Sequence, residues 1–574
     1  MNAFISRRGF SLLSAASVTV AGLGLLGCSP GGSGTAKAGS SVTQGEGLAD
    51  VKVKISSGTV VGTELKDGVV SWYGVPYGKT PTGDLRWKAP EAPEAWDSEL
   101  DCTTLPEKAL QLSGTEVVGT EDCLNLTVTS KLGHAKKPVL VFLHGGNNQT
   151  GDASEIVGDD MVANADCVYV SLNYRLGLLG FNCLPSLVKD DGATGNFALL
   201  DIALALDWMK ENIEAFGGDS ANITVSGFSA GGRDVMAMLI SPLFKDKFQK
   251  AIVYSGGMTT CSQDTAAVQI ARAIAPLAVE DGKAADEASA ETWLLGDGDE
   301  VADYLMGINA KRLAPLMGNA GIRMAVFPHL YEDDVVIPRG GFDGALYNDV
   351  PVIMLTGSGE FTMFSLGDAW WKGDGAAVIP ADQMAAAQAF SNTYGSDMYR
   401  IFNAQESANL MVENYESGIY VCQVNYGGDN SAMSADLQPY GSFHGIFVPM
   451  LATENQYAAM MPGVFDKAGY TAMAEVYNSY LKNFLASGDP NGDDLEEWQV
   501  WDRDTQLSLV LDGDESQALV SCENVSTTYG AIVAAMQADE TLDDEAKDAV
   551  AKNVMNGRWF STFLDEYYGG GWAN

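Results

Sequence analysis

Four short stretches carry residue types and spacings suited to nucleophilic chemistry. Gly227-Phe228-Ser229-Ala230-Gly231 follows the apolar run ITVSG and precedes the helix-like AGGRDVMAMLI. A serine forced into a tight strand-to-helix turn needs neighbours without side chains two positions either side, and such a turn presents its hydroxyl at the positive end of the helix. A serine hydroxyl is a weak nucleophile until an imidazole accepts its proton. The chain has only four histidines, so the choice is narrow. His444 lies downstream in PYGSFHGIFVP, bracketed by Gly441 and Gly445. His144 opens HGGNN at a strand end, where the peptide N–H groups that follow are the useful part; His134, in the turn KLGHAKK, and His329, before an acidic loop, read as structural.

The imidazole needs an acid to orient it from the end of another strand. Glu360 is the first acid after the buried run VPVIML, across the turn TGSG. Acyl transfer also requires fixed N–H donors for a developing oxyanion. Ala230 supplies one at the elbow, and Gly146 with Asn147 supplies the others. No two histidines stand at helical i, i+4 spacing, so a multi-histidine metal site is not expected, and no metal or organic cofactor is required.

The elements that must position these groups are visible as short apolar runs: VLVFLHGG at 139–146, CVYVSLNY at 167–174, ITVSG at 223–227, KAIVYSGG at 250–257 and VPVIMLTG at 351–358. They do not alternate in polarity, as expected of strands buried on both faces of a parallel sheet. LLDIALALDWMKENIEAF at 199–216 has helical apolar spacing, and the strand–helix rhythm predicts an α/β fold with a large, mostly parallel twisted sheet flanked by helices. The stretch 270–318 reads as helices over the top edge of the sheet. Residues 530–556 read as one C-terminal amphipathic helix with a solvated charged face.

Thirty-four Lys+Arg against 75 Asp+Glu give a net charge of −41. A surface so acidic repels phosphate backbones and anionic lipid head groups, which excludes a nucleic-acid partner and leaves only covalent or apolar routes to a membrane. At the N-terminus Arg7-Arg8-Gly9-Phe10 resembles a twin-arginine export signal, and Leu25-Leu26-Gly27-Cys28 resembles a lipobox whose cysteine is acylated. Residues 1–27 are then a signal peptide. Residues 28–50 form a lipid-anchored flexible linker, and 51–574 a single domain on the extracytoplasmic face of the membrane. Cys102 and Cys123 lie close in sequence and could close a short loop if oxidised.

With these residues in hand, the chain resembles the type-B carboxylesterase/lipase family, which includes the cholinesterases. The resemblance runs from about Val51 to Asp502 through WYGVPYG (72–78), LRWKAP (85–90), EDCLNL (121–126), LHGG (143–146), NYRLGLLGF (173–181), AFGGDSANITVSGFSAGG (215–232), GE (359–360), FHG (443–445) and NFLASGDPNG (483–492). It implies an α/β-hydrolase fold and a serine esterase acting on a small-molecule ester. It also implies a triad of Ser229, Glu360 and His444, an oxyanion hole at Gly146, Asn147 and Ala230, and a Cys102–Cys123 disulfide. A peptidase, a lipase or a catalytically silent adhesion protein on the same fold are the alternatives. The Trp370-Trp371 region is either a pocket wall or ordinary packing.

Three positions depart from the family pattern. Asn147 stands where a third glycine is usual; asparagine tolerates positive φ, so the donor should survive. Phe228 and Phe447 stand where the family places two acids, and the paired replacement predicts that the two rings touch behind the triad.

Overall fold

The computed structural model describes residues 50–564 except 132, 134, 135, 319, 320 and 429–437. The export signal, the linker with Cys28 and the His134 turn therefore lie outside the described residues.

Chain segments from Asp50 to Asn524 build one sheet. Its strands are β1 (Asp50–Ile55), β2 (Gly58–Glu64), β3 (Val69–Pro76), β4 (Glu99–Asp101), β5 (Asn125–Lys131), β6 (Lys137–Leu143), β7 (Val168–Leu172), β8 (Gly218–Phe228), β9 (Lys250–Tyr254), β10 (Val352–Gly357), β11 (Ile419–Val424), β12 (Leu507–Gly513) and β13 (Ala518–Asn524). Their spatial order is β1-β2-β3-β5-β7-β6-β8-β9-β10-β11-β12-β13, with β4 beside β2. From β7 through β12 every neighbour is parallel, whereas β1, β2, β3, β5 and β7 pair antiparallel in turn, as do β12 and β13; the short β4 joins β2 in parallel.

The five apolar runs each form a strand. In β7, β9, β10 and β11 every residue is buried. Their side chains still alternate, but between two cores rather than between core and water. Val139, Val141, Leu143, Val352 and Met354 point into one apolar cluster, while Leu140, Phe142, Ile353 and Leu355 point into the other. Helices α1 (Phe197–Asn212) and α2 (Ala230–Ile240) cover the first face through Leu199, Ile202, Leu206 and Val235. The Ala468–Ser487 helix covers the second through Tyr477, Leu481 and Phe484. The result is the three-layer α/β arrangement expected of the α/β-hydrolase fold.

The stretch 263–313 is helical in four pieces, as expected: Gln263–Glu280, Glu287–Leu294, Asp299–Gly307 and Ala310–Leu313. The C-terminal stretch differs from expectation. It is two helices, Tyr529–Ala538 and Asp544–Val550, because Asp543 accepts from the Ala546 N–H at 2.8 Å and starts a second N-terminus.

The disulfide implied by the family resemblance is also corrected. Cys102 and Cys123 are both free thiols, 1% and 2% exposed in the larger core. Burial pushes the Cys102 thiol up to about 12 and raises Cys123 as well.

Candidate active site

The parallel register brings the C-terminal ends of β8, β9, β10 and β11 to one edge, and the chemistry-bearing residues stand there in order. Ser229 follows β8 with φ 56° and ψ −115°, a conformation rarely held by a residue with a side chain. The surroundings enforce it. The Ser229 N–H donates to the Tyr254 carbonyl at 2.8 Å, and the Arg233 N–H donates to the Ser229 carbonyl at 3.0 Å, closing the first turn of α2. The flanking glycines are steric requirements: a Cβ on Gly227 would lie 2.2 Å from the Gly231 carbonyl oxygen, and one on Gly231 2.2 Å from that of Leu143.

Glu360 and His444 meet as the sequence suggests. His444 Nδ1 lies 2.5 Å from Glu360 Oε2, with the two residues 2% and 0% exposed. The other carboxylate oxygen, Oε1, accepts from the Ser255 hydroxyl (2.6 Å), the Gly357 N–H (2.6 Å) and the Thr356 hydroxyl (3.1 Å). Ser255 follows β9, and Thr356 and Gly357 end β10, so two neighbouring strand ends grip one acid. A bridge between Gly359 and Phe443, with the Gly359 N–H donating to the Ser442 carbonyl at 2.8 Å, ties the two loops together.

The His444 ring is walled by aromatics: Phe228 at 4.8 Å, Phe364 at 5.2 Å and Tyr399 at 5.4 Å between centroids. Phe228 adjoins Ser229 in the chain, so the same ring links the elbow to the imidazole. The Phe228 and Phe447 rings are 5.0 Å apart in an edge arrangement at 78°, and Tyr254 stacks on Phe447 at 4.5 Å; the expected contact is present. Phe228, Phe447 and Tyr254 thereby form a buried aromatic cluster behind the imidazole, with the Tyr254 hydroxyl bonded to that of Tyr477 at 3.0 Å.

The loop after β6 holds Gly146 at φ 103°, Asn147 at φ 59° and Asn148 at φ 55°, so asparagine occupies the left-handed region where glycine is usual. Among the described residues the Gly146 and Asn147 N–H groups meet no acceptor, and Ala230, the first residue of α2, has an N–H that the helix cannot satisfy.

Two acids invisible to motif reasoning pin this loop. Glu155 Oε2 accepts from the Gly145 N–H at 2.7 Å, and Asp234 Oδ1 accepts from the Asn148 side chain at 2.8 Å. Burial pushes both carboxyls up, each to about 7, against the opposing pull of those hydrogen bonds. Nothing local in sequence sets them apart from 73 other acids. Ser255 had a weak signal, as the first polar residue after the strand beside the nucleophile's.

The other two histidines among the described residues, His144 and His329, are structural. His144 pairs through Nδ1 with the Gly145 carbonyl at 2.8 Å and stacks on Tyr174 at 4.6 Å. His329 donates from Nδ1 to the Phe327 carbonyl at 2.9 Å, and burial beside Arg233 holds it well below the usual imidazole range. Trp371 is buried with its indole N–H on the Ser365 carbonyl at 2.6 Å, which is packing.

The sequence profile of the carboxylesterase family matches residues 49–364, more than half of the chain; it contains Ser229 and Glu360 and ends before His444. The chain is 42% identical to para-nitrobenzyl esterase of Bacillus subtilis (strain 168) over 236 residues, covering 39% of this chain and 48% of that one. It is 38% identical to juvenile hormone esterase of Tribolium castaneum over 258 residues, 44% and 42% of the two chains. It thus spans about half the length, or less, of these curated relatives. In three dimensions the match is longer. A carboxylesterase of Geobacillus stearothermophilus superposes with a TM-score of 0.64 at 25% identity, covering 84% of this chain and 99% of that one. A PNB esterase superposes at 0.61 and 26%, covering 82% and 97%.

The two loop-pinning acids give a pH signature. Between the ordinary carboxyl range and about pH 7 the folded state holds protons that the unfolded chain has lost, so stability falls as pH rises through that window. Glu155→Gln keeps an acceptor for the Gly145 N–H and removes its share. Relative to wild type it should gain about 1–3 kcal/mol between pH 5 and pH 8, read from urea unfolding at both values. Equal pH slopes for the two proteins would refute the assignment.

Proposed function

The chain belongs to the carboxylesterase family, and on that premise we propose that it hydrolyses a carboxylic ester through an acyl-enzyme on Ser229. The observation that carries the reading is the buried His444–Glu360 pair at 2.5 Å, set against a serine held at a strained strand-to-helix turn. Ser229 Oγ attacks the ester carbonyl carbon as His444 Nε2 takes its proton. Glu360 accepts from Nδ1–H, fixes the tautomer and stabilises the imidazolium that forms. The charge developing on the carbonyl oxygen is met by the N–H groups of Gly146, Asn147 and Ala230, already turned away from other acceptors and needing no rearrangement. Collapse expels the alcohol, which leaves with the proton from His444. Water then attacks the acyl carbon by the same route, and the acid departs.

The reading includes location. The N-terminal twin-arginine and lipobox resemblances support an exported protein held at the outer face of the cell membrane by a lipid on Cys28.

Treatment of the folded protein with a fluorophosphonate should give a mass adduct on Ser229. Its absence would return the non-catalytic adhesion reading to first place. Asn147→Gly should keep turnover, whereas Asn147→Val, β-branched at a positive φ, should lower kcat by about 10²–10³ through loss of one oxyanion donor; an active valine variant would remove Asn147 from the hole. In an exporting host, labelled fatty acid should be incorporated by the full chain and not by Cys28→Ala, and equal labelling of the two would refute the anchor.

A further inference from the structure

Arg233 closes the first turn of α2 on the Ser229 carbonyl, and helical side chains lean toward the helix N-terminus, so the guanidinium is carried back toward the end of α2 that bears the nucleophile. It is wholly buried, and the indole ring of Trp559 covers it at 3.9 Å. Its polar contacts are two. Nη1 donates to His329 Nε2 at 2.9 Å, which accepts because Nδ1 carries that ring's proton, and Nη2 meets the Met324 sulfur at 3.5 Å. Nε has no acceptor, and among the described residues no carboxylate pairs with Arg233. The adjacent acid, Asp234, gives Oδ1 to Asn148; its Oδ2 makes no hydrogen bond, and it acts on Arg233 through its charge without bonding to the fork.

The chain shows what this edge of a guanidinium ordinarily does. Arg175 takes both oxygens of Asp201 through Nε and Nη2, at 2.8 and 2.6 Å, and Arg86 takes both oxygens of Glu121 the same way, at 2.9 and 3.0 Å. Arg233 presents the same fork with nothing on it but a thioether. An unpaired guanidinium out of water is among the costliest groups a fold can hold, and a planar fork of this kind is matched by a carboxylate taken bidentately. Tyr399 and Trp559 join the two regions: Tyr399 stacks on the His444 ring at 5.4 Å and on Phe560 at 4.6 Å, and Trp559, next to Phe560 in the chain, covers Arg233.

Building on the esterase reading above, we propose that Arg233 binds a carboxylate carried by the substrate, so that the enzyme acts on anionic esters such as half-esters of dicarboxylic acids. The carboxylate docks on Nε–H and Nη2–H, and a short chain joins it to the scissile carbonyl at Ser229. Trp559, on the far side of the guanidinium plane, and neutral His329 keep the fork flat and oriented.

The test uses the full protein and paired substrates: monoethyl succinate, glutarate and adipate against ethyl butyrate, pentanoate and hexanoate, with O-butyryl glycolate placing the carboxylate on the alcohol side instead. The wild type should favour the anionic member, with kcat/KM peaking at one spacer length in the acid series and not in the neutral one. Arg233→Met should lower the anionic-to-neutral ratio of kcat/KM by about 10- to 100-fold, and Arg233→Lys, which keeps the charge but loses the fork, by less. A preference confined to the glycolate would still support the site and move the carboxylate to the alcohol. Hydrolysis of neutral esters with no preference in either series, or a ratio unmoved by Arg233→Met, overturns the proposal and leaves the esterase reading intact. No hydrolysis of any pair overturns the esterase reading and the proposal with it.

Discussion

The site depends on a carboxylate kept wholly out of water. Both oxygens of Glu360 are answered there: Ser255, Gly357 and Thr356 on one side, His444 on the other. The donors come from two neighbouring strand ends and from the His444 loop, and they converge because adjacent parallel strands end at the same level. The acid, the strand ends and the imidazole therefore form one cooperative unit. The same geometry fixes which nitrogen of His444 carries the proton, and hence which nitrogen is left to serve Ser229.

Around that pair, apolar packing replaces electrostatics wherever the chemistry permits. Phe228 and Phe447 fill the space behind the imidazole with an edge-to-face contact, and Tyr254 extends the stack. The remaining acids are moved to the oxyanion loop, where Glu155 and Asp234 hold Gly145 and Asn148 from its two ends. A rigid loop is what lets non-glycine residues sit at positive φ with their N–H groups unspent, since the strain is offset by bonds made elsewhere.

Much of this was legible because it rests on local rules. Five uninterrupted apolar runs fixed five strands of the parallel core; β11, β12 and the N-terminal hairpins escaped because shorter or mixed runs such as GIYVCQVNY resemble buried helix turns as much as strands. The elbow could be read from its glycines, His444 from the scarcity of histidine, and the Phe228–Phe447 contact from two coupled departures. Long-range pairing could not be read. Glu155, Asp234 and Arg233 matter through what lies beside them in space, and one buried acid or arginine looks like any solvated one in a chain this charged. The break at Asp539–Asp543 turned on a single capping side chain, and the state of Cys102 and Cys123 on burial that no spacing encodes.

The C-terminal stretch has a temporal meaning. Phe560 stacks on Tyr399 at 4.6 Å, which in turn stacks on His444, and Trp559 lies on Arg233, so residues late in the sequence cover the surroundings of the imidazole and of the first turn of α2. The strained serine is held by β8, α2 and the Tyr254 carbonyl at the end of β9, but its acid lies 131 positions further on, the base 84 beyond that, and the aromatic cover later still. Synthesis from the N-terminus therefore passes through a long interval in which the nucleophile's turn exists without its base. A chain cut between Asn524 and Tyr529 would hold every strand of the sheet and lack the aromatic rings that cover Arg233 and Tyr399.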